Sequence, residues 1–287
     1  MRAISSSSKV ATTSPSERDR RRALLLAVPA LAVFAAFWLL PMVRLAQVGA
    51  GGPDGLAAYF AVVTNAQYFK SLVSTVALSL GVTLATLALS LVAGIFLQRN
   101  RFPGHGLLVS LMTLPLAFPG VVVGFMVILL VGRQGLVGEV SSRLFDEKVV
   151  LAYGMAGLFV GYLYFSIPRV ILTIMASVEK LDPALEEAAR SLGASTWQVT
   201  RDVILPALAP AIISSGAICF ATSMGAFGTA FTLATQINVL PLTIYNEFTN
   251  YANFTMAASL SIVLGFITWA ALALARSLAG AGVAAAG

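Results

Sequence analysis

Six long apolar runs dominate this chain and leave it few ways to fold. They lie at about residues 23–43, 71–97, 106–132, 149–178, 207–235 and 254–275. A helix needs about 20 apolar residues to cross the hydrocarbon of a bilayer, and each run is long enough. Hydrocarbon offers the backbone no water, so a spanning run must close its own hydrogen bonds as a helix. The ten-residue alternating segments of a membrane barrel are not seen. Composition points the same way. The chain is 58% hydrophobic and only 10% charged, whereas soluble domains carry about 25% charged residues. The expected fold class is an all-α integral membrane protein with six transmembrane helices.

Charge placement predicts the orientation. The segments on one side of the spans hold Arg2, Lys9, Arg18, Arg20, Arg21, Arg22, Arg99, Arg101, Lys180, Arg190, Arg201 and Arg276, twelve bases in all. Those on the other side hold five: Arg44, Lys70, Arg133, Arg143 and Lys148. The basic side is expected in the cytoplasm. Both termini and the loop between spans four and five then lie inside. Membrane orientation also accounts for the net charge of +6 without nucleic acid as a partner. Residues 1–22, rich in Ser, Thr and Ala before the arginines, are expected as a disordered cytoplasmic tail. The run at 23–43 is too long for a signal-peptide core and lacks a small-residue cleavage site, so it reads as a retained first helix. Residues 277–287 read as a second tail. The lone cysteine, Cys219, sits in an apolar run and reads as packing. A single histidine, His105, at a loop edge excludes a multi-histidine metal site.

Proline interrupts several spans, most densely in Leu114-Pro115-Leu116-Ala117-Phe118-Pro119-Gly120. Such a stretch bends or breaks a helix. It is either a wall or gate of a translocation path, or a packing kink. No acidic residue lies within the six runs, and Arg169 is the only well-embedded base. Proton and ion relays need intramembrane charge, so a proton-coupled transporter is disfavoured. A path formed here would be lined by neutral groups, with Pro115, Pro119, Thr222, Ser223 and Phe227 as candidates. Glu247, the acid of the loop after span five, could guide a cationic solute or contact a partner, or could simply be solvated.

The segment from Glu179 to Pro206 carries the most information. Asp182 is placed to cap a helix with Pro183 at its first position, where a missing N–H costs nothing. Leu185, Ala188, Ala189 and Leu192 form one apolar stripe. Gly193 then stops the helix. Ser195 and Gln198 make a capping box for a second helix, on which Trp197 and Ile204 share a face. Pro206 marks the bend into span five. The expected result is a compact helix–turn–helix on the cytoplasmic surface. It carries five of the chain's twelve acids: Glu179, Asp182, Glu186, Glu187 and Asp202. A solvated loop, or an acidic tip entering a basic groove of a partner, would each explain them.

Glu187-Ala188-Ala189, then Gly193, then Val203-Ile204-Leu205-Pro206 resembles the EAA loop of bacterial ABC importer permeases. The spacing matches throughout, and only Val203 departs, where isoleucine is usual. The resemblance implies a MetI-like core over residues 70–276, including a cytoplasmic coupling loop at 179–206, with residues 23–43 as an added helix. It implies that Glu186, Glu187, Ala188, Ala189, Gly193, Ser195, Trp197, Leu205 and Pro206 engage a separate ATPase. It further implies two ATPase subunits, a second permease subunit, identical or related, a periplasmic or lipid-anchored solute-binding protein, and a place in the bacterial inner membrane. No Gly-Lys dipeptide occurs, so the chain has no phosphate-cradling loop. It is then no enzyme, and ATP with Mg is expected on the partner alone. Val239-Leu-Pro-Leu-Thr-Ile-Tyr245 resembles the polyamine, ferric-iron and aminoethylphosphonate branch of these permeases. That resemblance implies a small polar solute such as a polyamine or aminoethylphosphonate. A secondary transporter or channel acting without an ATPase is the competing class, and it must treat the Glu187-to-Pro206 spacing as chance.

Overall fold

The computed structural model describes residues 17–53, 55–233 and 237–285. Among them there is no strand. The chain opens with α1 (Glu17–Phe34), a π-helical turn (Ala35–Leu39) and α2 (Leu40–Ala50). A 3-10 turn (Gly55–Phe60) and α3 (Ala61–Thr64) lead into α4 (Ala66–Arg99). Then come α5 (His105–Thr113), a 3-10 turn (Leu114–Ala117), α6 (Gly120–Val131), α7 (Leu136–Phe145) and α8 (Met155–Val178). α9 (Pro183–Ser191), α10 (Thr196–Val199), a π-helical turn (Thr200–Ile204), α11 (Leu205–Met224), α12 (Gly228–Leu233), α13 (Leu240–Thr249) and α14 (Phe254–Ala285) complete the order.

Six helical stretches are long and apolar enough to cross a membrane, as expected. Their bounds differ from the apolar runs in instructive ways. The first extends to Ala50, and the fourth begins at Met155 rather than at 149. The third run, 106–132, is not one helix. The Pro115 and Pro119 stretch divides it into α5 and α6, and the long apolar helical stretch there runs Gly120–Phe145, through α7. At 1.5 Å per residue α6 alone spans only about 18 Å. The fifth run breaks at Gly225–Phe227, and its last two residues lie outside the described residues. Of the expected tail 1–22, residues 1–16 lie outside the described residues and Glu17 already opens α1. The 277–287 tail is helical as far as Ala285, and residues 286–287 lie outside the described residues.

Both π-helical turns stand directly before a Leu-Pro pair, Leu40-Pro41 and Leu205-Pro206. Proline lacks an N–H and crowds the carbonyl four residues back. A locally widened turn moves that carbonyl aside, so the helix continues through the proline. Helix therefore runs from Thr196 to Met224 through Pro206 without interruption.

α4 and α8 lie side by side at the centre, with α11 against both. Leu78, Val82, Val127, Leu158, Tyr162, Ile174, Leu208 and Cys219 form the main core. Gly94 lets α4 approach α8 closely: a Cβ there would sit 2.9 Å from Ile174 Cγ2. α14 packs on α11, α13 and α2, and Ser259 Oγ donates to the Gly49 carbonyl at 3.0 Å. α13 hangs on α4, with Leu240 N–H donating to Thr75 Oγ1 at 2.7 Å. His105 lies at the edge of the loop after α4, as expected. It is buried as the first residue of α5, and its Nε2 lies 2.8 Å from the Leu97 carbonyl, which only a protonated nitrogen can satisfy. The first helix is peripheral: Leu31, Phe34, Phe37 and Trp38 are exposed to the surroundings, where lipid or a partner would cover them.

Gly94→Val should wedge α4 from α8 and lower stability by about 1–3 kcal/mol. Gly106, on α5 with nothing near its Cβ position, should accept alanine with a gain of about 0.5–1 kcal/mol. Thermal unfolding of the two variants in detergent checks both.

Candidate functional site

The loop between α8 and α11 is built from local signals, one after another. Asp182 Oδ1 accepts from Ala184 N–H at 2.9 Å, and Pro183 opens α9. Gly193 has φ +85°, a left-handed residue that reverses the chain. Its N–H returns to the Arg190 carbonyl at 2.9 Å, and that of Ala194 to the Ala189 carbonyl at 3.1 Å. These two bonds form a Schellman stop and pair two carbonyls the helix end would leave free. Ser195 starts the next helix at once. Gln198 N–H donates to Ser195 Oγ at 3.3 Å, and Ser195 N–H donates to Gln198 Oε1 at 2.7 Å. The caps, the glycine stop and the capping box are all as the sequence predicts.

The polarity of α9 is not. Its acid faces inward and its leucines face outward. Glu186 is only 8% exposed, while Leu192 is 90% exposed, and Leu185 and Ala188 are also open. Ala189 alone of the stripe packs on the core. The cause is Arg99, in the last turn of α4. Both of its guanidinium nitrogens donate to the Glu186 carboxylate, one at 2.8 Å to Oε2. Arg190 adds a longer contact of 3.5 Å to the same carboxylate. A forked guanidinium matched to a carboxylate is a strong, directional pair, and it outweighs burial of two leucines at a water-facing position. Glu187 points the other way. It is exposed and pairs with no cation among the described residues.

The second arm of the loop also departs from expectation. Trp197 is 69% exposed, whereas Ile204 is 2% exposed. The π turn between them changes the winding, so a spacing of seven no longer means a shared face. The two arms are not a free-standing helix–turn–helix, because the second is the start of span five. Leu205 is half-buried and Pro206 exposed at that junction. Leu185, Glu187, Ala188, Leu192 and Trp197 are all exposed on these two capped arms.

The path candidates divide. Pro115 and Thr222 meet around a cavity of about 320 Å³, joined by Phe118, Phe165, Thr229 and Arg169. Pro119 caps the start of α6 by its extended backbone. Ser223 is buried within the core and does not line that cavity. Phe227 belongs elsewhere. Its ring packs, tilted, against Phe231 and Tyr245 and lines a separate apolar cavity with Pro41, Arg44 and Phe248. Glu247 is buried and accepts from the Tyr68 hydroxyl at 2.8 Å, tying α13 to α4. Arg99 escaped notice in the sequence, although a base at the end of a span facing an acidic loop is a readable cue. No group of three or more metal-ligating side chains occurs among the described residues.

Residues 87–281 match the family model of binding-protein-dependent transport system inner membrane components. The chain belongs to this family. Two of its relatives are from Escherichia coli (strain K12). The sulfate transport system permease protein CysT is 36% identical over 181 residues, covering 63% of this chain and 64% of that protein. The chain thus spans just under two thirds of that relative's length. The molybdenum transport system permease protein ModB is 36% identical over 197 residues, covering 66% of this chain and 85% of ModB. A putative 2-aminoethylphosphonate transport system permease, PhnU of Salmonella typhi, is 29% identical over 85% of this chain and 86% of PhnU. The fold is that of solved ABC transporter structures. A bacterial alginate ABC transporter bound to its periplasmic protein superposes with a TM-score of 0.78, at 18% identity, over 90% of this chain and 94% of that one. In this family member the two broken spans and the capped loop between α8 and α11 lie wholly within the matched region.

Glu186→Gln should release α9 from α4, a loss of about 1–3 kcal/mol, and speed hydrogen exchange of the α9 amides roughly tenfold or more. Glu187→Gln should leave that exchange unchanged. Exchange mass spectrometry on the detergent-solubilised protein distinguishes the two.

Proposed function

We propose that this chain is the transmembrane permease of an ATP-driven importer, and that α9 and the start of α10 dock into a separate ATPase subunit. The observation that carries this is the outward polarity of the loop. Leu185 and Leu192 on the loop and Trp197 at the first turn of span five stand exposed, together with Glu187, which pairs with no cation among the described residues. Exposed apolar side chains grouped with one charge suit a protein partner better than water. Leucine there would be a liability on a loop that only sits in solvent. Glu187, Ala188, Leu192 and Trp197 make the contact, Gly193 and Ser195 fix the angle between the arms, and Glu186 anchors the loop from behind. Leu205 and Pro206 continue it into span five.

The family supports the remaining parts of the assembly. A second permease subunit, two ATPases and a solute-binding protein complete the machine, with ATP and Mg bound by the ATPases. The twelve-to-five excess of bases supports a cytoplasmic position for both termini and for this loop. The relatives bear on the solute. Sulfate, molybdenum and 2-aminoethylphosphonate permeases are among them, which supports an oxyanion or a solute bearing an anionic group. Of the two expected solutes, the 2-aminoethylphosphonate relative supports the phosphonate class, and the polyamine rests on the Val239-to-Tyr245 resemblance alone.

Glu187→Ala and Gly193→Trp should each abolish uptake in cells while leaving membrane insertion intact. Alanine at Ser195 removes one cap worth only about 1 kcal/mol, so any large transport loss from it reports coupling rather than unfolding. Uptake of labelled sulfate, molybdate and 2-aminoethylphosphonate, with membrane-fraction blots, reads this. Full transport by Gly193→Trp would sink the coupling assignment.

A further inference from the structure

We propose that Arg169 and the cavity it enters form an anion-selecting station in the membrane, taking a small oxyanion or an oxyanion group on a larger solute. This rests on the importer reading above. Arg169 lies on α8, nine residues before Val178, or about 13 Å along the helix axis. Headgroups are out of easy reach at that depth. A guanidinium inside a span must face protein or a water-filled cavity, because hydrocarbon does not tolerate it. Here it is exposed on the single chain, forms no ion pair among the described residues, and borders the cavity of about 320 Å³.

Two further features converge on the same place. The cavity is bordered by Pro115 and Gly120, on either side of the break between α5 and α6, and by Ala226 and Gly228 at the break between α11 and α12. Broken backbone at membrane depth persists only where protein covers it or water reaches it. The break before α6 also turns the positive end of that helix toward the cavity, with Gly120 and Val121 in its lining. Arg169 is the only charged residue of the lining. A site with one fixed cation, a helix N-terminus, two threonines and no carboxylate attracts anions and repels polycations. Its volume suits a tetrahedral oxyanion with part of its hydration shell.

The test needs no transport cycle. Thr222→Cys places a thiol in the cavity lining, while the natural Cys219 is buried. The full-length protein in phosphatidylcholine vesicles is labelled with an anionic or a cationic methanethiosulfonate of similar size. The anionic reagent should react faster by roughly tenfold, a preference that Arg169→Gln erases and Arg169→Lys keeps in part. Added sulfate or molybdate should slow the labelling. Equal rates for the two reagents in the parent, or a preference unchanged by Arg169→Gln, would overturn the proposal. Protection by phosphatidylglycerol but not by sulfate or molybdate would give the pocket to a lipid headgroup and overturn it too. If Arg169→Gln does not fold, Arg169→Lys carries the test: equal rates for the two reagents in that variant, which keeps the positive charge, would overturn the proposal. Uptake separates this from the parent reading: a positive labelling result with no uptake of any anion leaves the station and removes the importer.

Discussion

A peptide group left unpaired in hydrocarbon costs several kcal/mol, and this penalty governs where the helices of this protein can break. Two of the apolar runs break, between α5 and α6 and between α11 and α12. The breaks lie side by side and satisfy each other. Thr229, on α12, donates to the Gly120 carbonyl at 2.9 Å. Tyr162, from α8, donates its hydroxyl to the Ala226 carbonyl inside the second break. Small residues make this possible: Gly124 meets Thr232, and Gly228 meets the Val121 amide, at separations no larger side chain would allow. Neither break could stand alone. Together they leave one opening, and Arg169 borders it.

The parts of this architecture that the sequence discloses are those decided locally. Asp182 with Pro183, Gly193, and Ser195 with Gln198 act within a few residues of themselves, so their geometry follows from spacing. The six apolar runs are legible because a bilayer demands length above all. What hydropathy cannot show is continuity. Leu114 to Gly120 and Met224 to Gly228 are as apolar as their neighbours; the prolines disclose the first break, and nothing comparable discloses the second. The orientation of α9 was hidden for a related reason. Its stripe of leucine and alanine predicts which side is apolar, not which side is inward. Arg99, 87 residues away from Glu186, reverses the outcome. Trp197 and Ile204 failed to share a face because Pro206 forces a π turn between them.

Glu247 illustrates the opposite error. A lone acid after span five invites a role in guiding solute, yet its carboxylate accepts the Tyr68 hydroxyl and is buried between α13 and α4. Arg169, which forms no ion pair among the described residues, is the better-founded functional group. The difference between the two is satisfaction. A buried polar group with a partner explains itself by stability, whereas a mid-span cation without one needs an occupant from outside the chain.

The two ends of the molecule are joined by one helix pair. α4 has 34 residues, so it is about 50 Å long. Near its start Thr75 holds the amide of Leu240, and at its end Arg99 holds Glu186. α8 lies along it, locked in close contact where Gly94 meets Ile174. α9 is thus attached twice, covalently to α8 through the short segment after Val178, and ionically to α4. Close-packed helices do not slide continuously past one another. A push on α9 must therefore move α4 and α8 as one body. The freedom to accommodate that motion lies on the far flank of α8, where the chain breaks before α6 and before α12 and the cavity beside Arg169 leaves contacts unmade. On the proposed function, the surface that meets the ATPase and the site that meets the solute are coupled because a single rigid pair of helices carries both.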